Sequence, residues 1–231
     1  VATFLQLCQA VTRESRTIAG TQPTSVVGQT GRLAEIVECV RDSWRELQNM
    51  RAGWFWLQAQ WSGQTTTGVR SYTAGSFSLA RWAEWLVEPD TPLTIYRQSV
   101  GAAEERELYF RQLREWQKLH DRGLPVSGSP VDWTVSRSGE ILLGPTPDDI
   151  YVLRGFYRKA PQELVENGDV PEMPARFHNI LVWMALMKLH EYDEADGAIP
   201  YARCRRQYIE YLNGLQRDQL PILRYEHRPF A

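Results

Sequence analysis

Apolar positions recur at helical spacing in two stretches near the start of the chain. Phe4, Leu7, Cys8 and Val11 form the first, and Leu33, Ile36, Val37, Val40, Trp44 and Leu47 form the second. Thr3 is placed to cap the first helix, which should stop before Gly20, and Thr30 to cap the second. Arg41, Asp42, Arg45 and Glu46 fall on the opposite side of the second helix and should face water. The connection from Gly20 to Gly31 is rich in Thr, Gln, Pro, Ser and Gly, which is loop composition. Two amphipathic helices joined in this way predict an antiparallel pair.

The period changes after Gly53. Phe55, Leu57, Ala59 and Trp61 alternate with Trp54, Trp56, Gln58 and Gln60, which predicts a strand, and Ser62-Gly63 is suited to turn the chain. Thr65 to Thr73 is polar and β-prone, Leu79 to Leu86 reads as a turn or bend, and Thr91 to Gln98 as a short strand. From Ala102 to Arg122, Leu108, Leu113, Trp116 and Leu119 sit on a background of Glu and Arg. That pattern predicts a helix with glutamates at its positive end, closed by Gly123 and Pro125. Val131, Trp133 and Val135, a turn at Arg137–Gly139, and a return over Glu140–Leu143 predict a hairpin. Ile150 to Arg158 adds a further β segment, so the centre reads as a small antiparallel sheet interrupted by one helix.

Helical character returns at Pro171 and Pro174, which lead into a helix over Ala175–Tyr192. From Ile180 to Leu189 only Lys188 is polar, so other elements should cover this helix on most sides. Gly197 breaks it, and Pro200 opens a last helix with Tyr201, Cys204, Tyr208, Tyr211 and Leu215 on one stripe. The expected class is α+β: a helical bundle from the N- and C-terminal helices, an inserted small antiparallel β-rich region, and an extended C-terminal tail. The expected divisions are a helix pair over residues 1–52, a β-rich insertion with one helix over 53–170, a second helix pair over 171–220 that packs with 1–52 as one helical domain, and a docking tail over 221–231. No internal repeat is evident.

Composition narrows the class little. The 231 residues are 43% hydrophobic and 23% charged with a formal net charge of -2, which is ordinary for a soluble globular protein and makes no general case for binding nucleic acid. The charge is unevenly placed. Glu163 to Asp196 carries eight acids against Arg176 and Lys188, whereas Arg203 to Arg228 carries six arginines against three acids. Such blocks are either solvated helix faces or complementary surfaces of neighbouring subunits. The longest apolar run, Ile180 to Met187, falls short of the roughly 20 residues a membrane span needs. Cys8, Cys39 and Cys204 are far apart and lack a Cys-x-x-Cys, which suits a reducing compartment better than disulfides or zinc, and Cys8 and Cys39 fall on apolar helix stripes as small core residues.

Catalytic signatures are missing. His190-Glu191-Tyr192-Asp193-Glu194 begins like a zinc-protease helix but has Glu194 where the second histidine must stand. His120, His178, His190 and His227 lack a recognisable nucleophile partner, and Asp132 and Glu140 beside the hairpin turn are weak candidates for a glycosidase carboxylate pair. The nine tryptophans have two readings. Trp54, Trp56, Trp61, Trp82 and Trp85 form either a core or interface, which is favoured, or a platform that stacks sugar rings. The tail from Ile222 to Ala231 carries large anchors, Ile222, Leu223, Tyr225 and Phe230, together with Arg224, His227 and Arg228. A segment too short to fold alone yet rich in anchors suits docking into a groove on a partner.

Several of these segments resemble a known family in order and spacing. Thr3-Phe4-Leu5-Gln6-Leu7-Cys8-Gln9, Pro23-Thr24-Ser25-Val26, Gly28-Gln29-Thr30-Gly31-Arg32-Leu33, Asp42-Ser43-Trp44 and Leu47-Gln48 are similar to the opening of the tailed-bacteriophage adaptor (head-to-tail connector) proteins. Pro174-Ala175-Arg176-Phe177-His178-Asn179-Ile180-Leu181 with Ala185-Leu186 resembles the start of that family's late helix pair. The resemblance covers the two ends of the chain. It implies a virion protein made in the host bacterial cytoplasm and placed at the neck, as a dodecameric ring fastened beneath the portal. Such a ring extends the DNA channel, lets the genome pass without sequence-specific binding, and offers a platform to tail or nozzle proteins. The resemblance implies no catalysis, cofactor, metal or membrane. By the same analogy the helices form the ring wall, the β-rich centre faces the tail, and the last residues reach the portal. The competing readings are a carbohydrate-binding module or glycosidase built on the tryptophans, and a β-dominated tail-tube or tail-terminator protein.

Overall fold

The structure, a computed structural model, describes residues 1–15, 22–87, 91–124, 126–192 and 201–221, with the side chains of 191 and 192 excepted. In chain order, helices α1 (Phe4–Ser15) and α2 (Gly31–Asn49) precede strands β1 (Gln58–Gln64), β2 (Ser71–Tyr72), β3 (Trp82–Trp85), β4 (Thr94–Arg97), β5 (Arg106–Glu107) and β6 (Tyr109–Phe110). Helix α3 (Leu113–His120) follows, then β7 (Ser127–Gly128), β8 (Asp132–Val135), β9 (Ile141–Gly144), β10 (Thr146–Pro147) and β11 (Tyr151–Lys159). Helices α4 (Asn179–Tyr192) and α5 (Tyr201–Gln219) close the order. The chain is α+β and divides into two compact units, one of Val1–Trp56 with Pro161–Ala231 and the other of Leu57–Ala160.

In the first unit, α1, α2 and α5 each pack against α4. Helix α1 starts in a reciprocal cap: Gln6 N donates to Thr3 Oγ1 at 3.3 Å, and Thr3 N donates to Gln6 Oε1 at 3.0 Å. Its next free donors, Phe4 N and Leu5 N, reach the carbonyls of Asp169 and Asn167 at 2.7 and 3.3 Å. The expected stop before Gly20 lies outside the described residues, and α1 is followed to Ser15. Thr30 is the N-cap of α2 as expected, in extended geometry, although its side chain makes no cap bond. At the far end of α2 the carbonyl of Leu47 accepts both Met50 N at 3.4 Å and the Trp54 indole N–H at 2.9 Å. The predicted stripe of α2 is buried from Ile36 to Leu47, with Cys39, Ser43 and Gln48 beside it. Arg41 is drawn in rather than fully outward: its guanidinium lies over the Phe4 ring and donates to the Leu164 carbonyl at 3.0 Å.

Trp54 to Leu57 is not strand. Phe55–Leu57 is a short 3-10 turn, and Trp54 and Trp56 stack at 4.4 Å instead of pointing to opposite faces of a sheet. Trp56 in turn lies 6.4 Å from Trp44 of α2. The alternation read from Trp54 onward therefore becomes a true strand only at Gln58.

In the second unit the long strand β11 is the spine. It pairs antiparallel with β1 on one side and with β3 and β4 on the other, and β4 continues to β5. A second sheet runs β2-β9-β8-β6, and β7 and β10 form a short parallel pair. The β6–β8 pair is also parallel, so the centre is mixed rather than purely antiparallel. The hairpin of β8 and β9 stands as expected, with Asp132 opposite Gly144 and a turn closed by Ser136 N to Glu140 O at 2.8 Å. The two sheets share one core, to which Trp61, Trp85, Leu93, Leu108, Trp133, Ile141, Leu153 and Tyr157 contribute.

Three expectations for this unit give way. The helix over 102–122 forms only at Leu113–His120. Before it, the stretch 106–111 is extended because it has ladders on both sides: Leu108 N donates to Leu93 O at 2.8 Å, while Tyr109 N and Arg111 N donate to Val131 O and Trp133 O at 2.9 Å each. Tertiary pairing overrides the local helical pattern: Glu104 ends a short 3-10 turn over Ala102–Glu104, and Glu105 and Glu107 lie outside any helix. Leu79–Leu86 is not a simple bend either, since Trp82–Trp85 pairs with β11 and the Trp85 indole donates to Gly139 O at 2.7 Å.

Ser62-Gly63 does not turn the chain but lies inside β1, opposite Arg154 and Leu153. Gly63 is required there for space: a Cβ would stand 2.1 Å from Cδ1 of Phe77, whose ring packs on Trp61 at 4.5 Å. Gly63→Ala should therefore lower unfolding stability by about 1–3 kcal/mol, the usual cost of overpacking. In a denaturant double-mutant cycle the loss should be clearly smaller in a Phe77→Ala background. Additive losses would mean that the clash is not between these two residues.

Candidate partner-binding surface

The residues expected to dock, Ile222, Leu223, Arg224, Tyr225, His227, Arg228 and Phe230, lie outside the described residues. What is described is the point from which they depart. Helix α5 ends at Gln219, and Leu220 N donates back to Gln216 O at 3.1 Å. Gly53 sits against this exit, since a Cβ there would meet Leu220 Cδ2 at 3.7 Å and Pro221 Cδ at 3.8 Å. The tail is thus rooted in the first unit, beside the chain that leads into the Trp54–Trp56 stack.

The residues carrying the adaptor-like motifs mostly fasten loops. The Gln48 side chain, 2% exposed, accepts Gln162 N at 2.7 Å and donates to Gln162 O at 2.9 Å, so its amide pairs with a backbone as a neighbouring strand would. Gln162 passes the arrangement on, donating to Val170 O at 2.9 Å and accepting Glu172 N at 3.1 Å. Gln9 donates to Pro23 O at 3.0 Å, and Asn167 Oδ1 accepts Val26 N at 2.7 Å and the Ser25 hydroxyl at 3.3 Å. His178 is buried between Ala2 N, 3.2 Å from Nδ1, and Met173 O, 3.1 Å from Nε2. The ring accepts on Nδ1 and donates from Nε2, which makes it a structural link between the two segments. Asp169 Oδ2 accepts Val165 N and Glu166 N at 2.6 and 2.8 Å and holds the loop before α4 rigid.

The remaining chemical candidates are likewise structural. Asp132, at 8% exposure, accepts Arg111 Nε at 2.9 Å and faces His120 Nε2 at 3.2 Å. Gly144 leaves room for that imidazole, because a Cβ would stand 2.5 Å from His120 Cδ2. No nucleophilic side chain is bonded to this pair among the described residues. Glu140 lies at the turn end of the β8–β9 hairpin, away from Asp132 at its open end, so the two do not form a carboxylate pair. The helix carrying His190 is followed to Tyr192, and Asp193 and Glu194 lie outside the described residues. Among the described residues no group of three or more His, Cys, Asp and Glu is placed to hold a metal, and no helix is long and apolar enough to cross a membrane.

Seven of the nine tryptophans are buried, which removes the flat exposed row a sugar platform requires. A shallow trough of about 550 Å³ lies over β1, β11 and β4, with Gln60, Thr94, Arg154 and Phe156 in its lining. Its arginine is already engaged, paired with Glu105 at 3.1 Å and lying over Tyr96 at 5.0 Å.

The surface of the first unit is more telling. All four acids of α2 have basic partners: Glu35 with Arg32, Glu38 with Arg41, Asp42 with Arg45, and Glu46 with Lys188. On α5, by contrast, Arg203, Arg205, Arg206 and Arg217 are exposed, with no ion pair among the described residues. Only Cys204 and Leu215 of that 19-residue helix are buried. The charge blocks were legible in the sequence. Which charges are left uncompensated was not, because pairing depends on which helices meet.

Burial pushes the Cys8 thiol up to about 12 and the Cys39 thiol up to about 11, and desolvation raises Cys204, Tyr72 and Tyr208 in the same direction. A folded state that holds these protons longer than the unfolded chain is fully favoured below the unfolded thiol value. That contribution is lost as pH rises through the folded values, so the denaturation midpoint should fall steadily between about pH 9 and pH 12. The decline should be shallower in Cys8→Ala/Cys39→Ala, and a midpoint that is flat in that window would contradict the burial. In the neutral range, Gln48→Met keeps the shape but orphans Gln162 N–H and should cost about 1–3 kcal/mol in a urea titration. A neutral result would show that water replaces the latch.

A family model described as SU10 adaptor protein matches residues 2–225, nearly the whole chain. A search of curated proteins found no match to this chain.

Proposed function

From the chain's membership of the SU10 adaptor protein family, to which it belongs, we propose that it works as a head-to-tail adaptor ring at the neck of a tailed-bacteriophage particle. The coarse statement, a bacteriophage adaptor and virion component, follows from the family itself. The finer reading has several copies, twelve in the expected ring, binding the portal protein above and tail or nozzle proteins below. Genome DNA passes through the ring without sequence-specific contacts.

The single observation that carries the reading is the family match over residues 2–225, which includes both ends and the β-rich centre. The structure is compatible with it in three ways. The side chains suspected of chemistry are engaged in holding the fold, as His178, Asp132 and His120 are. The tryptophans are core rather than ligand platform. The helical unit gives the tail a fixed root at Gly53 and Leu220, so that ten further residues, extending at most about 35 Å, have somewhere definite to reach from. In this reading Ile222, Leu223, Tyr225 and Phe230 fill apolar pockets on the portal, and Arg224, His227 and Arg228 meet acidic groups at the rim.

Deleting Ile222–Ala231 tests the reading. The shortened protein should keep its far-UV circular dichroism and thermal transition, while its capture by purified portal protein should fall at least tenfold. Capture at the full level would show that the portal contact lies elsewhere.

A further inference from the structure

Helix α5 is poorly covered for its length. Of its 19 residues Cys204 and Leu215 are buried, and Tyr201 and Ile209 stay 42% and 39% exposed. Helices of this length in proteins owe most of their stability to a packed face, so an uncovered apolar stripe has a use. Tyr201, Arg205, Ile209 and Leu212 fall at helical spacing on one side of α5, and Arg206 borders them. Among the described residues the arginines are not neutralised from within the helix: Glu210 accepts from Gln207 at 3.5 Å, and Asp218 is engaged by Arg176 and Gln219. A partner for this stripe must be acidic and carry small apolar groups.

A surface of that chemistry exists elsewhere on the same unit. Between β11 and α4, Glu163 and Glu166 are exposed and make no ion pair among the described residues. Val165 lies between them at 50% exposure. Asn167 ties this loop to the loop holding Val27, itself 60% exposed, through its bonds to Ser25 and Val26. Asp169 fixes the loop's backbone, and Asn167 and Asp169 carbonyls clamp it to the start of α1. The result is a preorganised acidic knob with two valines, set on α1 and α2, while the basic stripe is on α5. The two patches belong to different segments of the unit, the loop after β11 and helix α5, so one copy carries both.

We propose that the α5 stripe of one copy receives the Glu163–Val165–Glu166 knob of a second copy, as the repeating head-to-tail contact of the assembly. The contact has the form a ring demands, two unlike surfaces on every subunit, each complementary to the other. It rests on the ring reading given above and names the residues of its subunit interface.

The test compares full-length protein by mass photometry, alone and with purified portal protein. Arg205→Glu/Arg206→Glu and Glu163→Lys/Glu166→Lys are each expected to reduce the multi-copy species at least tenfold while keeping the wild-type circular dichroism. An equimolar mixture of the two should restore assembly, because every contact in an alternating ring then joins opposite charges. Normal assembly of either variant, or failure of the mixture to recover, overturns the contact and leaves the ring intact. Wild-type protein that stays single-copy in both conditions sinks the ring reading, and the contact with it. Should Arg205→Glu/Arg206→Glu assemble normally and lose only retention on immobilised duplex DNA, the stripe serves nucleic acid and the contact is likewise refuted.

Discussion

Seven of the ten residues from Ile180 to Leu189 are buried, and a helix that is apolar on nearly all sides persists in water only if other elements cover it. That demand organises the first unit. Helices α1, α2 and α5 all pack on α4, although they come from opposite ends of the chain. The β-rich unit is thereby an insertion, leaving the helical unit after Trp56 and returning at Pro161. The polar links follow from the same arrangement. Gln48 to Gln162, Asn167 to Val26, and His178 to Ala2 each join segments more than 100 positions apart, so they serve to fix loops around a helix that is already covered.

The same constraint decides what was readable in advance. Helices α1 and α2 carry long apolar stripes, and their packing side is set by their own residues, so period alone locates them. The β8–β9 hairpin was legible for a similar reason, since alternation and a Gly139 turn at positive φ agree locally. The stretch 102–122 misled because Leu108, Leu113, Trp116 and Leu119 do space as a helix. Only the carbonyls of Leu93, Val131 and Trp133, distant in sequence, draw residues 106–111 into extended form. Gly63 misled in another way. Its use is to admit the Phe77 ring, which no local rule detects.

Of the expected docking segment only the point of departure at Leu220 and Pro221 is described. Anchors and arginines at 222–230 are visible in composition, and the adaptor-like motifs proved mostly to be loop fasteners when placed in the fold. The Trp-rich centre was open between a core and a sugar platform until burial decided it, with Trp54, Trp44 and Trp116 at no more than 1% exposure. Motif similarity therefore reports here on how the scaffold is held together. The contact surfaces proposed above lie among residues those motifs do not include.

The contrast between α2 and α5 gives the interaction argument its direction. A helix whose acids all find bases in its own unit has a self-sufficient outer face, and α2 is of that kind. Among the described residues of the unit, no acid pairs with Arg203, Arg205, Arg206 or Arg217 of α5. In an adaptor ring two occupants of opposite consequence compete for them. Facing the bore, each arginine that neutralised a phosphate would tighten the ring's hold on DNA that must move through it. Facing a neighbouring copy, the same charges meet carboxylates, fix the register of subunits and repel a wrongly oriented one. For the proposed ring the second placement is the favourable one, and it sets the α5 stripe at the seam between copies.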